Sequence, residues 1–400
     1  CEQPGTMATA GKLAMLMSLA TVTALQHATS AMPNPTLLPR LSFLDGQDRS
    51  TPVTSKRIHV VRRSRIPLAS TASTVAGTDQ FKVEKTWTWD GHKCRYVVVN
   101  SADVSSTISP CAAVLIHGFA GSADNSWRAV LPALGETRQT YALDLLGLGL
   151  SDKPADAPYS IALWQRQISD FCREVVGDVP VVLVGTSFGS LIALSVAADS
   201  ESSVDVRGIC MLNCAVGMNN KNGPAAARAA GERYPEWQLR VFEAVLALID
   251  WLFGQKAVLR AVFARLATAE NVRTLLEGIY VNDERVDDEL VAAYLEPAAT
   301  DTAVDVFGAI YTGDAGPLPN PLVTSLLGKL PLLAVWGTRD TITPIDGPVG
   351  AFLQELAENS TPELLQFEIV ETGHVPHDDA PEKVNAIMSA WMGRIDEWRQ

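Results

Sequence analysis

The sequence predicts an α/β chain: a mostly parallel sheet with helices on both faces and a block of helices inserted late in the strand order. Three observations carry this. From Phe81 onward, short apolar runs rich in β-branched residues alternate with helix-patterned stretches, the rhythm of a parallel sheet with helical crossovers. From Gly217 to Leu327 that rhythm stops, and no buried-strand run appears until LPLLAVWG at Leu330 to Gly337. VVLVGTSFGSLIAL, residues 181–194, places a strand, a tight turn and a buried helix in immediate succession.

Taken in order, Lys85 to Asp90 (KTWTWD) and His92 to Asn100 (HKCRYVVVN) read as two strands of a hairpin joined through Gly91. Ala112 to Ile116 (AAVLI) is wholly apolar, as a strand buried on both faces is, and runs into HGFAG. Thr140 to Asp144 is a further strand, followed by LLGLGLSDKP, and Ile161 to Val175 has the spacing of an amphipathic helix. Val181 to Val184 is entered through Pro180, and Ser190 to Ala198 has the small and apolar residues of a buried helix, so Ser187 falls on a strand-to-helix turn. Such a turn forces strained angles on a nucleophilic serine, and the flanking Gly185 and Gly189 let neighbouring backbone pass close by. Val206 to Asn213 ends the first run of strands. After the helical block, Leu330 to Gly337 and Glu363 to Glu371 are strands, and Pro381 to Trp398 is a helix whose start at Asp379, with Glu382 three residues on, fits a capping box. The chain thus divides into a core at 79–216 and 329–400 and an inserted helical cap at 217–328.

Four hundred residues, 47% of them hydrophobic, suffice for one large domain with an insertion or for two ordinary domains. The formal charge of −13 argues against a nucleic-acid partner and against broad attraction to anionic membranes, although acidic balance is commonplace in soluble proteins. The six cysteines form no CxxC pair and sit mostly in apolar patterns, which suits buried free thiols in a reducing compartment. Cys210 and Cys214 share one segment with no third ligand nearby, so neither a metal nor a cofactor is assigned.

The composition of residues 1–78 is that of a leader not expected to build a core. Lys12 precedes an apolar stretch from Leu13 to Leu25 and small residues as far as Ala31, the layout of a signal peptide and too short to span a bilayer. Residues 33–78 hold seven basic and two acidic residues among many Ser and Thr, as a transit peptide does. Together they resemble the bipartite leader of algae whose plastids lie inside extra membranes, and imply a plastid location with a mature start between Ser64 and Gln80. The secretory pathway, a mitochondrion, or a basic tail with no address are the alternatives.

From Trp87 to Trp398 the chain resembles the α/β-hydrolase superfamily, of the AB hydrolase-1 type. The resemblance rests on HGF at His117 to Phe119, the elbow at Gly185 to Gly189, WGTRD at Trp336 to Asp340 and TGHVPHD at Thr372 to Asp378. It implies an eight-stranded sheet and a nucleophile, an acid and a histidine in that chain order. A serine hydroxyl needs a base within reach and a carboxylate to orient that base. Of the six histidines, His27 and His59 lie in the leader, His92 in a hairpin turn, and His117 opens the HGF loop, where bracing is its expected role. His374 and His377 remain; the family pattern places the base at His374, where Gly373 lets the chain turn, and His377 stays open beside it. Asp340 lies just past the seventh strand, on the edge where ligand sites form in such sheets. Some relatives take the acid from after the sixth strand, but no Asp or Glu occurs between Gly208 and Gly231. Asp144 and Asp346 also sit at strand or loop ends, where capping a turn is the commoner role. The same resemblance implies an oxyanion site made by the backbone N–H groups of Phe119 and Phe188.

DLLGLGLSDKP (Asp144 to Pro154) also looks like the branch with haloalkane dehalogenases and epoxide hydrolases, which use an Asp nucleophile; Ser187 in its place favours acyl hydrolysis. WTWDGHKCRYVVV, Asn271 to Val291, AVDVFGAIYTGDAGPLP and GHVPHDDAPEKVN are similar to the plastid hydrolases around pheophytinase, which implies a phytyl-type ester of a chlorophyll derivative as substrate. The elbow departs from that pattern, with GTSFG where Asn and Leu are expected around the serine. Trp237, Phe242, Ile249, Trp251, Phe253 and Phe263 supply apolar surface that either receives such an ester or packs the cap onto itself and the core. An apolar small-molecule substrate leaves room for transient thylakoid-membrane contact through the cap. A C–C bond hydrolase or perhydrolase on the same triad, and a binding protein with a relic triad, are the rival readings.

Overall fold

The computed structural model describes residues 82–99, 111–229 and 235–397. The leader readings, with His27, His59 and Cys1, lie outside the described residues. Strands β1 (Lys82–Trp89) and β2 (His92–Val99) form the expected antiparallel hairpin, with Trp89 paired to His92. Asp90 and Gly91 turn it with positive φ of 49° and 82°, matching the right-handed twist of the strands. β3 (Ala112–Ile116), α1 (Ala123–Ser126), α2 (Val130–Gly135) and β4 (Thr140–Leu143) follow. Then come α3 (Ile161–Phe171), β5 (Val181–Thr186), α4 (Phe188–Ala198) and β6 (Val206–Leu212). α3 runs on into a wider π turn at Cys172–Val176, which the apolar spacing of the helix does not reveal.

Between β6 and β7 lie α5 (Gly223–Ala229), α6 (Glu236–Phe253), α7 (Lys256–Leu266), α8 (Ala269–Glu277), α9 (Asp288–Ala298), α10 (Ala303–Thr312) and α11 (Pro319–Leu326). β7 (Leu332–Gly337), α12 (Gly350–Glu358), β8 (Leu365–Val370), the single turn α13 (Pro376–Asp379) and α14 (Pro381–Glu397) complete the chain. The eight strands are ordered β1-β2-β4-β3-β5-β6-β7-β8, all running the same way except β2, which is antiparallel to both of its neighbours, β1 and β4.

Both faces of the sheet are covered, and the strand side chains divide accordingly. In β3, Val114 and Ile116 enter a core with Trp164, Phe171 and Leu191 on one face. Ala113 and Leu115 enter a second core with Trp127, Leu134 and Trp391 on the other. This two-sided burial is why AAVLI carries no polar residue. The cysteines at 94, 111, 172, 210 and 214 are buried in these layers and, among the described residues, form no disulfide; burial pushes the Cys94, Cys172 and Cys214 thiols up to about 12. They are packing groups at neutral pH.

Candidate active site

Every parallel strand that carries a candidate residue ends on the same edge of the sheet: His117 after β3, Ser187 after β5, Asp340 after β7, His374 after β8. Ser187 has φ 54° and ψ −125°, the strained turn expected of an exposed nucleophile. Neighbouring backbone holds it there. A Cβ on Gly185 would lie 2.3 Å from the Gly189 carbonyl oxygen, and one on Gly189 would lie 2.2 Å from that of Ile116. Only glycine at both positions lets β3, β5 and α4 meet so closely. The Ser187 N–H donates to Leu212 O at 2.9 Å and its carbonyl accepts from Ala215 N at 3.1 Å, fastening the turn to the end of β6.

Asp340 and His374 are brought together. The Nδ1–H of His374 donates to Asp340 Oδ2 at 2.9 Å, which leaves Nε2 as the ring nitrogen able to accept a proton. The Asp340 side chain is fully buried and its carboxylate accepts five hydrogen bonds. Its Oδ1 accepts from Ile342 N at 2.7 Å and Thr343 N at 3.0 Å; its Oδ2 also accepts from Asn213 Nδ2 and Thr343 Oγ1. Burial acts to raise its pKa, but the charge and hydrogen bond of His374 and the bonds from Thr343 outweigh burial and hold it below the ordinary carboxylate value. Asn213, with φ 46°, occupies the position after β6 and also accepts from Gly337 N at 2.9 Å through Oδ1 and donates to Gly373 O at 3.1 Å. Sequence reasoning asked only whether an acid stood after β6. The polar residue that closes the apolar run of β6 was the available signal for Asn213, whereas nothing marked Thr343.

The other candidates have other work. His117 is fully buried, its Nδ1–H donating to Gly118 O at 2.8 Å and its Nε2 accepting from Leu145 N at 3.0 Å, so it braces the HGF loop. Asp144 caps turns as expected, accepting from Ala123 N at 2.6 Å and Leu150 N at 2.8 Å. Asp346 is exposed. Phe188 opens α4, so its N–H has no partner inside the helix, and Phe119 lies in the loop after β3 beside Ala120, whose φ is 55°. The Phe119 ring packs on Phe307 at 5.9 Å and Tyr311 at 5.6 Å, and these contact Phe253 and Phe263. Of the six apolar insertion residues singled out from sequence, Phe253 and Phe263 therefore join the aromatic cluster that reaches Phe119 through Phe307 and Tyr311, while Trp237 and Trp251 are exposed. Among the described residues, no group of three or more His, Cys, Asp or Glu stands close enough to hold a metal.

His377 is fully buried against Trp127, ring centroids 4.8 Å apart, and burial, only partly offset by Asp378, lowers its pKa to about 4. Unfolded, it would titrate near 6.5, so between those values the unfolded chain binds more protons and stability falls as pH falls. His377→Phe is expected to make the unfolding free energy less dependent on pH between 4 and 6.5, by up to about 1.4 kcal/mol per pH unit. Urea unfolding across that window measures it; an unchanged slope would mean the imidazole is charged inside the fold.

The segment after β8 is also tied to the insertion. His374 N donates to Ile279 O at 2.8 Å, and a Cβ on Gly373 would lie 1.9 Å from that same oxygen. Gly373 is thus required by close passage of the insertion backbone, and not for a sharp turn. Asp379 does not serve as the capping residue expected from sequence: its carboxylate accepts from Gly373 N, Val281 N and Asn282 N at 2.7 to 3.0 Å. Asp378 is buried and accepts from Arg128 at 2.8 Å, Arg285 at 2.5 Å and Tyr280 Oη at 2.8 Å, and Arg128 reaches on to Asp287. The stretch from Ile279 to Arg285, midway along the insertion, is thereby latched to the loop that carries His374.

The family model for the alpha/beta hydrolase fold matches residues 114–381. The chain is 22% identical over 319 residues to the chloroplastic pheophytinase of Arabidopsis thaliana, covering 71% of this chain and 62% of that protein. It is 38% identical over 89 residues to the 2-hydroxymuconate semialdehyde hydrolase of Pseudomonas sp. strain CF600, covering 21% of this chain and 30% of that protein. The chain therefore spans under two thirds of the length of either relative. The solved structure of the meta-cleavage product hydrolase from Pseudomonas fluorescens IP01 superposes with a TM-score of 0.55 at 19% identity, covering 78% of this chain and 97% of that one.

Proposed function

The chain belongs to the alpha/beta hydrolase family, and on that premise we propose that it is a serine hydrolase cleaving a carboxylic ester through Ser187, His374 and Asp340. The observation that carries the reading is the pairing of His374 Nδ1 with a buried, five-fold hydrogen-bonded Asp340 on the sheet edge where Ser187 sits on a strained turn. His374 Nε2 takes the proton as Ser187 Oγ attacks the ester carbonyl, and the N–H groups of Phe119 and Phe188 receive the oxyanion. Collapse of the tetrahedral intermediate expels the alcohol, which takes the proton from His374. Water, deprotonated by the same imidazole, then frees the acid and restores Ser187.

The aromatic cluster of Phe119, Phe253, Phe263, Phe307 and Tyr311 favours an apolar alcohol, and with the resemblance to pheophytinase it supports a phytyl-type ester of a chlorophyll derivative. A plastid location goes with that substrate and with the leader. The similarity to 2-hydroxymuconate semialdehyde hydrolase supports a second reading, C–C bond hydrolysis on the same triad. The full chain incubated with pheophytin, chlorophyll, a short p-nitrophenyl ester and an acyl-ketone substrate separates the two. Release of phytol and p-nitrophenol is expected. Cleavage of the acyl-ketone with all three esters intact would overturn the ester reading.

A further inference from the structure

Trp237, Val241, Val245, Leu248 and Trp251 recur along α6 at steps of four, four, three and three, which sets them on one face, and they are 38 to 64% exposed. From Trp237 to Trp251 this stripe runs about 21 Å. Soluble chains seldom leave so long an apolar row in water without something to cover it. We propose that the stripe, with the basic helix α7 that follows it, docks the chain on an anionic lipid surface.

Charge selects that occupant. The acids of α6 are all engaged: Glu236 and Glu243 with Arg228, and Asp250 with Lys221. Lys256, Arg260 and Arg265 on α7 are exposed, and their charged ends have no ion-pair partner among the described residues. No Asp or Glu occurs from Trp251 to Ala269. The net charge of −13 opposes a general attraction to anionic membranes, yet this patch is locally positive. A second copy of the chain is the poorer fit, because an isologous contact would bring the same three cations to both sides of one seam. Trp residues at both ends suit the headgroup region, where an indole has an apolar body and a polar N–H. Among the described residues no helix is long and apolar enough to cross a membrane, so α6 would lie in the surface plane. Its last residue, Phe253, touches Phe307 and Tyr311, which touch Phe119, so the lipid-facing helix also walls the reactive edge.

The test is flotation of the full chain with vesicles of phosphatidylcholine, alone or mixed with phosphatidylglycerol. Co-flotation with the mixed vesicles, weakened by salt, is expected. Lys256→Gln with Arg260→Gln should weaken it about 25-fold, at about fivefold for each cation. Trp237→Ala with Trp251→Ala should weaken it by about tenfold or more. Both variants should keep the hydrolysis of a water-soluble p-nitrophenyl ester, so lipid binding and the ester reading fail separately. In the unaltered chain, brominated lipid should quench tryptophan fluorescence, which needs no variant. Absence of both flotation and quenching, or flotation insensitive to both pairs of substitutions, would overturn the proposal. So would a dimer seen by light scattering without lipid that the Trp substitutions dissociate.

Discussion

Replacing Ser187 with alanine is expected to lower kcat by about a millionfold and to abolish labelling by a fluorophosphonate, leaving thermal stability close to that of the parent chain. The size of the effect follows from what is removed. On the proposed mechanism no acyl-enzyme forms without Oγ, and only the proposed oxyanion donors and substrate binding remain to accelerate attack by water. Stability should hold because the turn is fixed by backbone: Ser187 N to Leu212 O, Ser187 O to Ala215 N, and the close packing around Gly185 and Gly189. Its φ of 54° costs alanine about as much as serine, so the substitution adds no new strain. Single-turnover assays with a p-nitrophenyl ester and a thermal melt decide it. Retention of most of the turnover would remove Ser187 from the reaction.

Asp340→Asn should cost up to about 10⁴ in kcat with little change in KM. The carboxylate accepts five hydrogen bonds, from His374 Nδ1, Asn213, Thr343 Oγ1 and two backbone N–H groups. An amide has one acceptor oxygen and an NH₂ that must face some of those donors. If the oxygen stays with Ile342 and Thr343 N, the NH₂ meets His374 and favours the tautomer protonated on Nε2, which cannot take the serine proton. If it flips, two backbone N–H groups lose their acceptor, at about 1 to 3 kcal/mol each. The variant should therefore lose both rate and stability, and unfolding in urea beside steady-state kinetics measures the two. His374→Ala should match Ser187→Ala in rate, because nothing else can accept the serine proton, whereas His377→Phe should cost less than about tenfold, or about 1.4 kcal/mol of barrier. Equal damage at 374 and 377 would reverse the assignment of the base.

Much of this was legible in the residues, for reasons that differ from element to element. β3, β5 and β7 are buried on both faces, so their sequences are unbroken apolar runs, and structure and reading agree within one or two residues. The elbow is a local event, with its glycines, strand and helix inside one short stretch. The interactions that escaped are long-range. Asp378 meets Arg128 across 250 positions and Tyr280 across 98, and no period or neighbour in the sequence links such partners. Asp379 was misread because a capping box is a local pattern, and here three distant N–H groups compete successfully for its carboxylate. Gly373, expected to let the chain turn, escapes for the same reason: its crowding comes from Ile279, a chain segment far away.

The insertion between β6 and β7 has a kinetic meaning. Ile209 pairs with Leu332, so the last two strands can join the sheet only after a long excursion has closed. Each doubling of such a loop adds only about 0.6 kcal/mol of closure entropy, a small equilibrium effect, but nonlocal pairings of this kind are slow to form. Ser187 is carried by the part of the sheet that can assemble early, whereas Asp340 and His374 arrive with β7 and β8. During refolding, native-like sheet signal should therefore precede recovery of hydrolysis. A species halted before closure would present the proposed nucleophile without its proposed base, along with an unpaired β6 edge open to another chain.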